Sequence, residues 1–486
     1  MSELKEIGIT TKKEGDFSEW YTQVVTKAGL VDYSPVKGFI ILKPYGYRIW
    51  EIIKETLDRK LQESGHQNGF LPILIPESLL SKEKEHFKGF TPEVFWVTKA
   101  GDNELTDKLA VRPTSETLAY QIFSKWIMSY RDLPLKINFW NSALRAEIKA
   151  TKPFIRNSEF LWQEGHTVHE NRKGADEEVF LILDYYQFII ENFLAIPTIR
   201  GIKTEKEKFV GALYTTTLES LMPDGKALQM ATSHNLGQNF SKPFEIRFLG
   251  RDSKQYFGWQ TSWGLSWRVI GALIMMHGDN KGLILPPKIA PIQLVIVPIF
   301  KNKERDIVIE ESKKLLAELK KKEFRVIFDD REEYTAGWKF NDWEIKGVPL
   351  RIDIGIRDIK NKTLEIVRRD TGEKILINRE DCSDRVYFYL DQVQRMLFEK
   401  AKEMQDNNIV KVSDYEEMKI ILKEKGGFIL ADWCEKEECE NNIKNDTGAD
   451  IRLVPFNNNK NKPDSENKCI YCNAHCKKTV IFAKAY

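Results

Sequence analysis

In "LRAEIKATKPFIRNSEFLWQEGH" (residues 144–166), Arg145, Glu147 and Arg156 are interleaved with Phe160 and Trp162 and followed by Glu164 and His166. A guanidinium grips a phosphate or carboxylate through two parallel hydrogen bonds, and an aromatic ring stacks on a base. If 144–147 is a strand, Arg145 and Glu147 project from one face, and Arg156 returns after a loop. That mixture suits a nucleotide. Yet the chain has no G-x-x-x-x-G-K-[ST] loop and no G-x-G-x-x-G opening a helix after a strand, so any nucleotide is held another way. Spacing alone also admits a surface hairpin braced by a structural Arg–Glu pair.

A second cluster lies near the end of the chain. Cys434 and Cys439 form C-x4-C, and Cys469 and Cys472 form C-x2-C. Two such knuckles offer four thiolates to one Zn²⁺, which takes tetrahedral sulfur ligands and, with no open position left, serves structure. The alternatives are free thiols, a disulfide, or His475 or Cys476 standing in for Cys472.

These residues need elements to place them. Tyr47, Trp50, Ile53, Leu57 and Leu61 recur at helical spacing and stop at Gly65, and "GFLPILIP" after them reads as a strand. A helix fits 115–130. "LKINFWNSALRAEI" and "NSEFLWQEGHTVH" alternate as strands on either side of a polar loop, and a long helix fits 175–193. "SHNLGQNF", "FEIRFLG" and "YFGWQTSWG" suggest further strands. Strands succeeding one another without regular crossover helices predict a mainly antiparallel sheet with helices around it. The prolines of "ILPPKIAPIQ" (284–293) mark a boundary, beyond which strands at 292–299, 324–329 and 348–356 alternate with helices at 303–322 and 338–346. A hairpin at "DTGE", a helix from about Ser383 and then the cysteine region complete the chain, with "NNNKNKPDSENK" as a loop.

The 486 residues suggest roughly three domains. With 74 basic against 72 acidic residues, a nucleic-acid partner must be met by local patches. No apolar run reaches the ~18 residues of a membrane span, and "MSELKEIGITTKKEG" is not a signal peptide, so a cytosolic protein is expected.

Arg-x-Glu, a basic loop and an aromatic strand resemble motif 2 of class II aminoacyl-tRNA synthetases, and "RAE…FIRNSEFLWQEGHTVH" is similar to the prolyl-tRNA synthetase form. The helix and strand reaching Pro72 look like motif 1, the dimer interface of that family, and "TSWGLSWRVIGALIMMHGD" like motif 3, with Arg268 as its arginine. "RPTSE" (112–116) and "LQMATSHNLGQNF" (228–240) resemble prolyl-specific signatures. "GWKFNDWEIKGVPLRIDIG" resembles the class IIa anticodon-binding domain, and the cysteine tail ending in tyrosine the archaeal/eukaryotic form.

The resemblance implies an α+β chain: a class II antiparallel-sheet catalytic domain (1–285), an α/β anticodon-binding domain (286–402) and a zinc-binding α/β domain (403–486). It implies ATP-dependent attachment of L-proline to tRNA(Pro) through prolyl-adenylate, in a homodimer joined at motif 1. For ATP and Mg²⁺ it implies Arg145, Glu147, Arg156, Phe160, Gln229, Thr232 and Arg268, with Phe160 stacking on adenine and Arg145 and Arg268 also catalytic. For proline it implies Thr114, Glu116, Arg145, Trp162, Glu164, His166, His234 and Ser262. Anticodon contacts are expected from Lys339, Glu344, Lys346 and Arg351, and Zn²⁺ ligation from the four cysteines. Trp267 stands where a smaller residue is expected. The stretch from His166 to Thr261 is too short for the editing domain that bacterial-type relatives insert there. Competing readings are a sister synthetase for threonine, glycine or histidine, and a catalytically silent tRNA-binding relative.

Overall fold

The computed structural model describes residues 8–80, 94–146, 150–456, 467–476 and 478–486. Glu147 and most of "NNNKNKPDSENK" lie outside the described residues.

Helix Pro44–Glu63 begins on a proline, whose missing N–H costs nothing in the first turn, and ends at Ser64 before Gly65 with φ +86°. Its Ile49, Trp50, Ile53, Leu57 and Leu61 are buried, each such side chain contributing roughly 1.5–3 kcal/mol. "GFLPILIP" is not one strand. Gln67–Gly69 pairs with one sheet and Leu74–Pro76 with another, because Pro72 cannot donate to a ladder. Phe70 and Ile73, at the break, are exposed.

Among the described residues, eleven strands form one sheet. Its order is Ile409–Lys411, Phe428–Trp433, Lys478–Ala483, Asp450–Pro455, Ile199–Ile202, Tyr214–Leu221, Ala227–Gly237, Trp259–Ser266, Glu159–His169, Leu135–Leu144 and Gln67–Gly69. Only the two outermost pairs are parallel. The C-terminal strands therefore extend the central sheet, through Val454 opposite Ile202.

Helix Arg172–Asn192 covers one face. Asn171 caps it by accepting from the Gly174 N–H, and Ala175, Val179, Ile182, Leu183, Tyr186, Ile189 and Ile190 form its buried stripe. The Tyr186 hydroxyl donates to Gln163 at 2.6 Å, which fixes this as the reverse side of strand Glu159–His169. All of the chain between His166 and Thr261 is described, and it consists of this helix, the sheet strands, a small hairpin and their connections.

Past Pro287, a five-stranded sheet runs Val326–Phe328, Leu294–Ile299, Leu350–Gly355, Thr363–Arg368, Lys374–Asn378, its first three strands parallel. The run "IQLVIVPIF" supplies its second strand, buried from Leu294 to Pro298. The junction before it is tightly held rather than loose. Leu283 N–H donates to the Ile345 carbonyl (2.9 Å), Leu285 N–H to that of Gly347 (3.1 Å), and Arg369 pairs with Asp279 at 2.6 Å. Among the described residues, no helix is long and apolar enough to cross a membrane.

Candidate active site

Period-two alternation places the chemistry. On strand Glu159–His169, Phe160, Trp162, Glu164 and His166 face a cavity of about 780 Å³, and Leu161, Gln163, Gly165 and Thr167 face away. Cross-strand register then builds rows. His166 stands opposite Ser262, and Ser262 opposite His234; Glu164 stands opposite Gly264, and Gly264 opposite Thr232. Gln229 and Thr232 are three apart, an odd spacing for one face. Met230 has no cross-strand partner, and this bulge brings both to the cavity wall.

Arg145 does not sit within the strand, as the spacing argument expected. Strand Leu135–Leu144 ends one residue earlier, although the Arg145 N–H still donates to the Ser158 carbonyl at 2.8 Å. Arg156 arrives from the loop, and Arg268 opens helix Arg268–His277 directly after Trp259–Ser266. All three arginines line the cavity. Among the described residues, none of them has a carboxylate partner. Arg145 lies 5.1 Å above the Phe160 ring, and Arg268 Nε donates to the Ile155 carbonyl at 3.4 Å. Burial, then repulsion from Arg145 and Arg156, lowers the Arg268 guanidinium to about 10, so it stays charged at neutral pH. Three unpaired cations around one space call for a polyanion.

The other end is acidic. Helix Glu116–Trp126 starts at the cavity, and the Thr114 hydroxyl donates to Glu116. Glu164 accepts from the Ser115 hydroxyl and from Asn141 at 2.9 Å. Its second oxygen is 3.5 Å from His166 Nε2, too long for a strong hydrogen bond. That oxygen, His166 Nε2 and Ser262 Oγ are buried and without a hydrogen-bond partner. Burial opposes charge on both groups, but their mutual attraction outweighs it: His166 rises and the Glu164 carboxyl falls from their usual values. Tyr120 holds the other His166 nitrogen at 3.1 Å. Burial, with His166 nearby, pushes His234 down to about 3. His234 is therefore a neutral bridge between Thr215 (2.9 Å) and Thr232 (3.1 Å).

Of the fourteen residues expected to meet ATP or proline, thirteen line this cavity, and Glu147 lies outside the described residues. Trp267 fits. It packs edge-on to Phe154 at 5.7 Å, a residue made available by its left-handed backbone (φ 63°). Phe209 also lines the cavity and was not expected. Trp263 borders it by its backbone, while its ring lies on the reverse face over Gly165, where a Cβ would stand 1.9 Å from it. Phe209, 4.9 Å from the His234 ring, sits in a turn with no local pattern to mark it. Arg112 of "RPTSE" braces backbone, donating to the carbonyls of Leu71, Pro72 and Ser142. The Tyr486 ring lies 5.1 Å from Lys226 and 5.9 Å from Lys152 and is not part of the cavity lining.

In the second unit, Lys339 corrects an expectation. It is buried and donates to the Asp329 carbonyl at 3.0 Å, so no base reaches it. Lys346 pairs with Asp342 (2.9 Å), Glu344 with Lys281 (2.8 Å), and Arg351 with Asp353 through two hydrogen bonds while stacking on Phe340 at 3.7 Å.

The four cysteine sulfurs lie within 4.8 Å of one another, and the Cys434–Cys439 and Cys434–Cys472 separations are both 3.6 Å. Four sulfurs placed tetrahedrally at ~2.3 Å from one ion stand about 3.8 Å apart, so the set fits Zn²⁺. Neither His475 nor Cys476 belongs to it.

An antiparallel sheet that delivers cations from two strand ends and a following helix to one cavity, ahead of a separate α/β unit, is the design of a class II aminoacyl-tRNA synthetase. Three family models match: the tRNA synthetase class II core domain (G, H, P, S and T) over residues 95–277, the anticodon binding domain over 293–387, and the prolyl-tRNA synthetase C-terminal domain over 415–486. The proline–tRNA ligase of Cenarchaeum symbiosum (strain A) is 55% identical over 482 residues, 99% of this chain and 100% of that one. That of Natranaerobius thermophilus is 51% identical over 99% and 98%. The crystal structure of prolyl-tRNA synthetase from Cryptosporidium parvum, complexed with halofuginone and AMPPNP, superposes with a TM-score of 0.94 at 43% identity, covering 99% and 100%. The chain belongs to the prolyl-tRNA synthetase family.

Proposed function

We propose that the chain joins L-proline to tRNA(Pro) in two steps, in the cytoplasm, as a homodimer. The proline carboxylate attacks the α-phosphorus of ATP in line, forming prolyl-adenylate and expelling pyrophosphate. A terminal ribose hydroxyl of tRNA then attacks the prolyl carbonyl and releases AMP. The observation that carries this is the polarity of one cavity: three guanidiniums without carboxylate partners among the described residues at one end, and Glu116, Glu164 and Thr114 at the other.

Arg145 and Arg268 hold the α-phosphate region and Arg156 the outer triphosphate, while Phe160 stacks on adenine. Fixed positive charge around the reacting phosphorus lowers the barrier without any protein nucleophile. Mg²⁺, when bound with the nucleotide, adds charge neutralisation, and Gln229, Thr232 and Glu147 are the residues that would contact it or the nucleotide.

Proline's secondary ammonium carries a positive charge and only two N–H donors, a match for Glu116 and Thr114. Glu164, His166, His234 and Ser262 complete the polar wall, and Trp162 the apolar one. Smaller amino acids lose only about 1–3 kcal/mol per missing methylene, so alanine and cysteine enter.

Three units follow from this reading: catalytic (1–285), anticodon-binding (286–402) and zinc-binding (403–486). Glu344, Lys346 and Arg351, all partly exposed, remain the anticodon contacts; Lys339 is dropped. Zn²⁺ held by Cys434, Cys439, Cys469 and Cys472 serves folding. Exposed Phe70 and Ile73 support dimerisation around motif 1. The test is pyrophosphate exchange with each of the twenty amino acids. Proline should drive it, with alanine and cysteine far behind; exchange driven by threonine, glycine or histidine instead would redirect the assignment to a sister enzyme.

A further inference from the structure

Outside the cavity, the most completely buried ionic group of the described residues joins the central strands to the C-terminal region. Glu219 on strand Tyr214–Leu221 is fully buried. Lys203, which follows strand Ile199–Ile202, reaches its Oε1 at 2.6 Å and also donates to the Arg452 carbonyl at 2.8 Å. Arg452, on strand Asp450–Pro455, closes on both Glu219 oxygens at 3.0–3.2 Å. The Thr217 hydroxyl completes the set at 3.2 Å. Every oxygen of the carboxylate is occupied, and one of the two cations comes from more than 200 residues away.

The place of this group matters more than its strength. Glu219 stands directly opposite Gln229 in the register, so the two side chains share a face, and Gln229 lines the nucleotide end of the cavity. The adjacent bulge at Met230 is what brings Gln229 and Thr232 to that wall, and an irregular ladder needs support from its neighbours. Arg268 also senses the group: the Glu219 charge favours its protonated form, and Arg145, Arg156 and Arg452 oppose it.

We propose that Arg452 is a positioning residue for the nucleotide half of the site, acting through Glu219 to hold the bulged Gln229–Thr232 wall. The C-terminal region is then part of the catalytic unit's construction, independently of its cysteines. This rests on the reading that ATP lies between Arg145 and Arg268.

The test is proline-dependent pyrophosphate exchange by the full-length zinc-loaded protein carrying Arg452→Met, Glu219→Gln, both together, or Arg452→Lys. In each single variant the KM for ATP should rise about tenfold with the KM for proline within about twofold. The double variant should match the singles instead of multiplying them, because both changes break one device. Arg452→Lys should recover part of the loss. If Glu219→Gln, which strands two buried cations, fails to fold, Arg452→Met, which leaves Lys203 paired with Glu219, carries the comparison with Arg452→Lys. An unchanged KM for ATP, equal rises in both KM values, or multiplicative effects would overturn the inference. Absence of proline-dependent exchange in the unmodified protein would instead overturn the functional reading beneath it.

Discussion

The arginines of the cavity and four of those in the 293–387 region are built on opposite plans. Arg331, Arg351, Arg368 and Arg369 are each closed by an aspartate within 2.9 Å. Arg145, Arg156 and Arg268 stand together with no carboxylate closing on any of them among the described residues. A guanidinium locked onto aspartate has its donors satisfied and holds backbone in place; one left open while desolvated and crowded by like charge is stabilised when an anion arrives. The four cysteine sulfurs follow the open plan with the sign reversed, clustered for a cation.

The largest expected effect concerns those thiolates. Binding of structural zinc is worth on the order of 10 kcal/mol at neutral pH, so chelation should expose the 415–486 region to protease while 293–387 stays resistant. Uniform resistance after verified metal loss would mean the cysteines are a closed, structural set.

Acid comes next. Burial lowers His169 and His277 from 6.5 to about 4 each, so both are neutral in the folded protein. Between pH 6.5 and about 4 the unfolded chain binds protons that the folded one refuses, and stability must fall as pH falls. The slope is about 1.4 kcal/mol per pH unit for each histidine. Urea midpoints at pH 7, 6 and 5 should decline accordingly; a flat series would contradict the assigned neutral state.

Glu164→Gln removes the charge opposite His166 and should raise the KM for proline about 10- to 100-fold while leaving that for ATP nearly unchanged. Equal changes in both would erase the division of the cavity into an acidic and a basic end.

Smallest is Arg351→Ala. It strands buried Asp353, whose carboxyl burial already pushes above its usual value, and should cost roughly 1–3 kcal/mol of stability. Pyrophosphate exchange should stay within about twofold, with any functional loss confined to tRNA charging. A large loss of exchange would show that closed arginines also serve the chemistry.

Much of the site was legible because strand alternation is a local signal. Phe160, Trp162, Glu164 and His166 fall on one face by parity alone, whereas Arg268 was marked only by the resemblance of "TSWGLSWRVIGALIMMHGD" to motif 3. The Gln229–Thr232 pair defeated parity, since a bulge leaves no mark in composition. The openness of an arginine is invisible too: "RIDIG" places Asp353 two positions after Arg351, but only the structure shows that the two close on each other. Joining of the C-terminal strands to the central sheet depends on segments some 250 residues apart, and only Gly201 hinted at it. A Cβ there would lie 2.4 Å from the Val454 carbonyl oxygen.

The central claim is that an unpaired guanidinium grips the triphosphate while proline lies beside it. Arg145→Ala, verified as folded by its thermal transition, should lose proline-dependent pyrophosphate exchange by at least about 100-fold, the scale of removing one preorganised charge from a transition state. A rate near that of the unmodified protein would contradict the account.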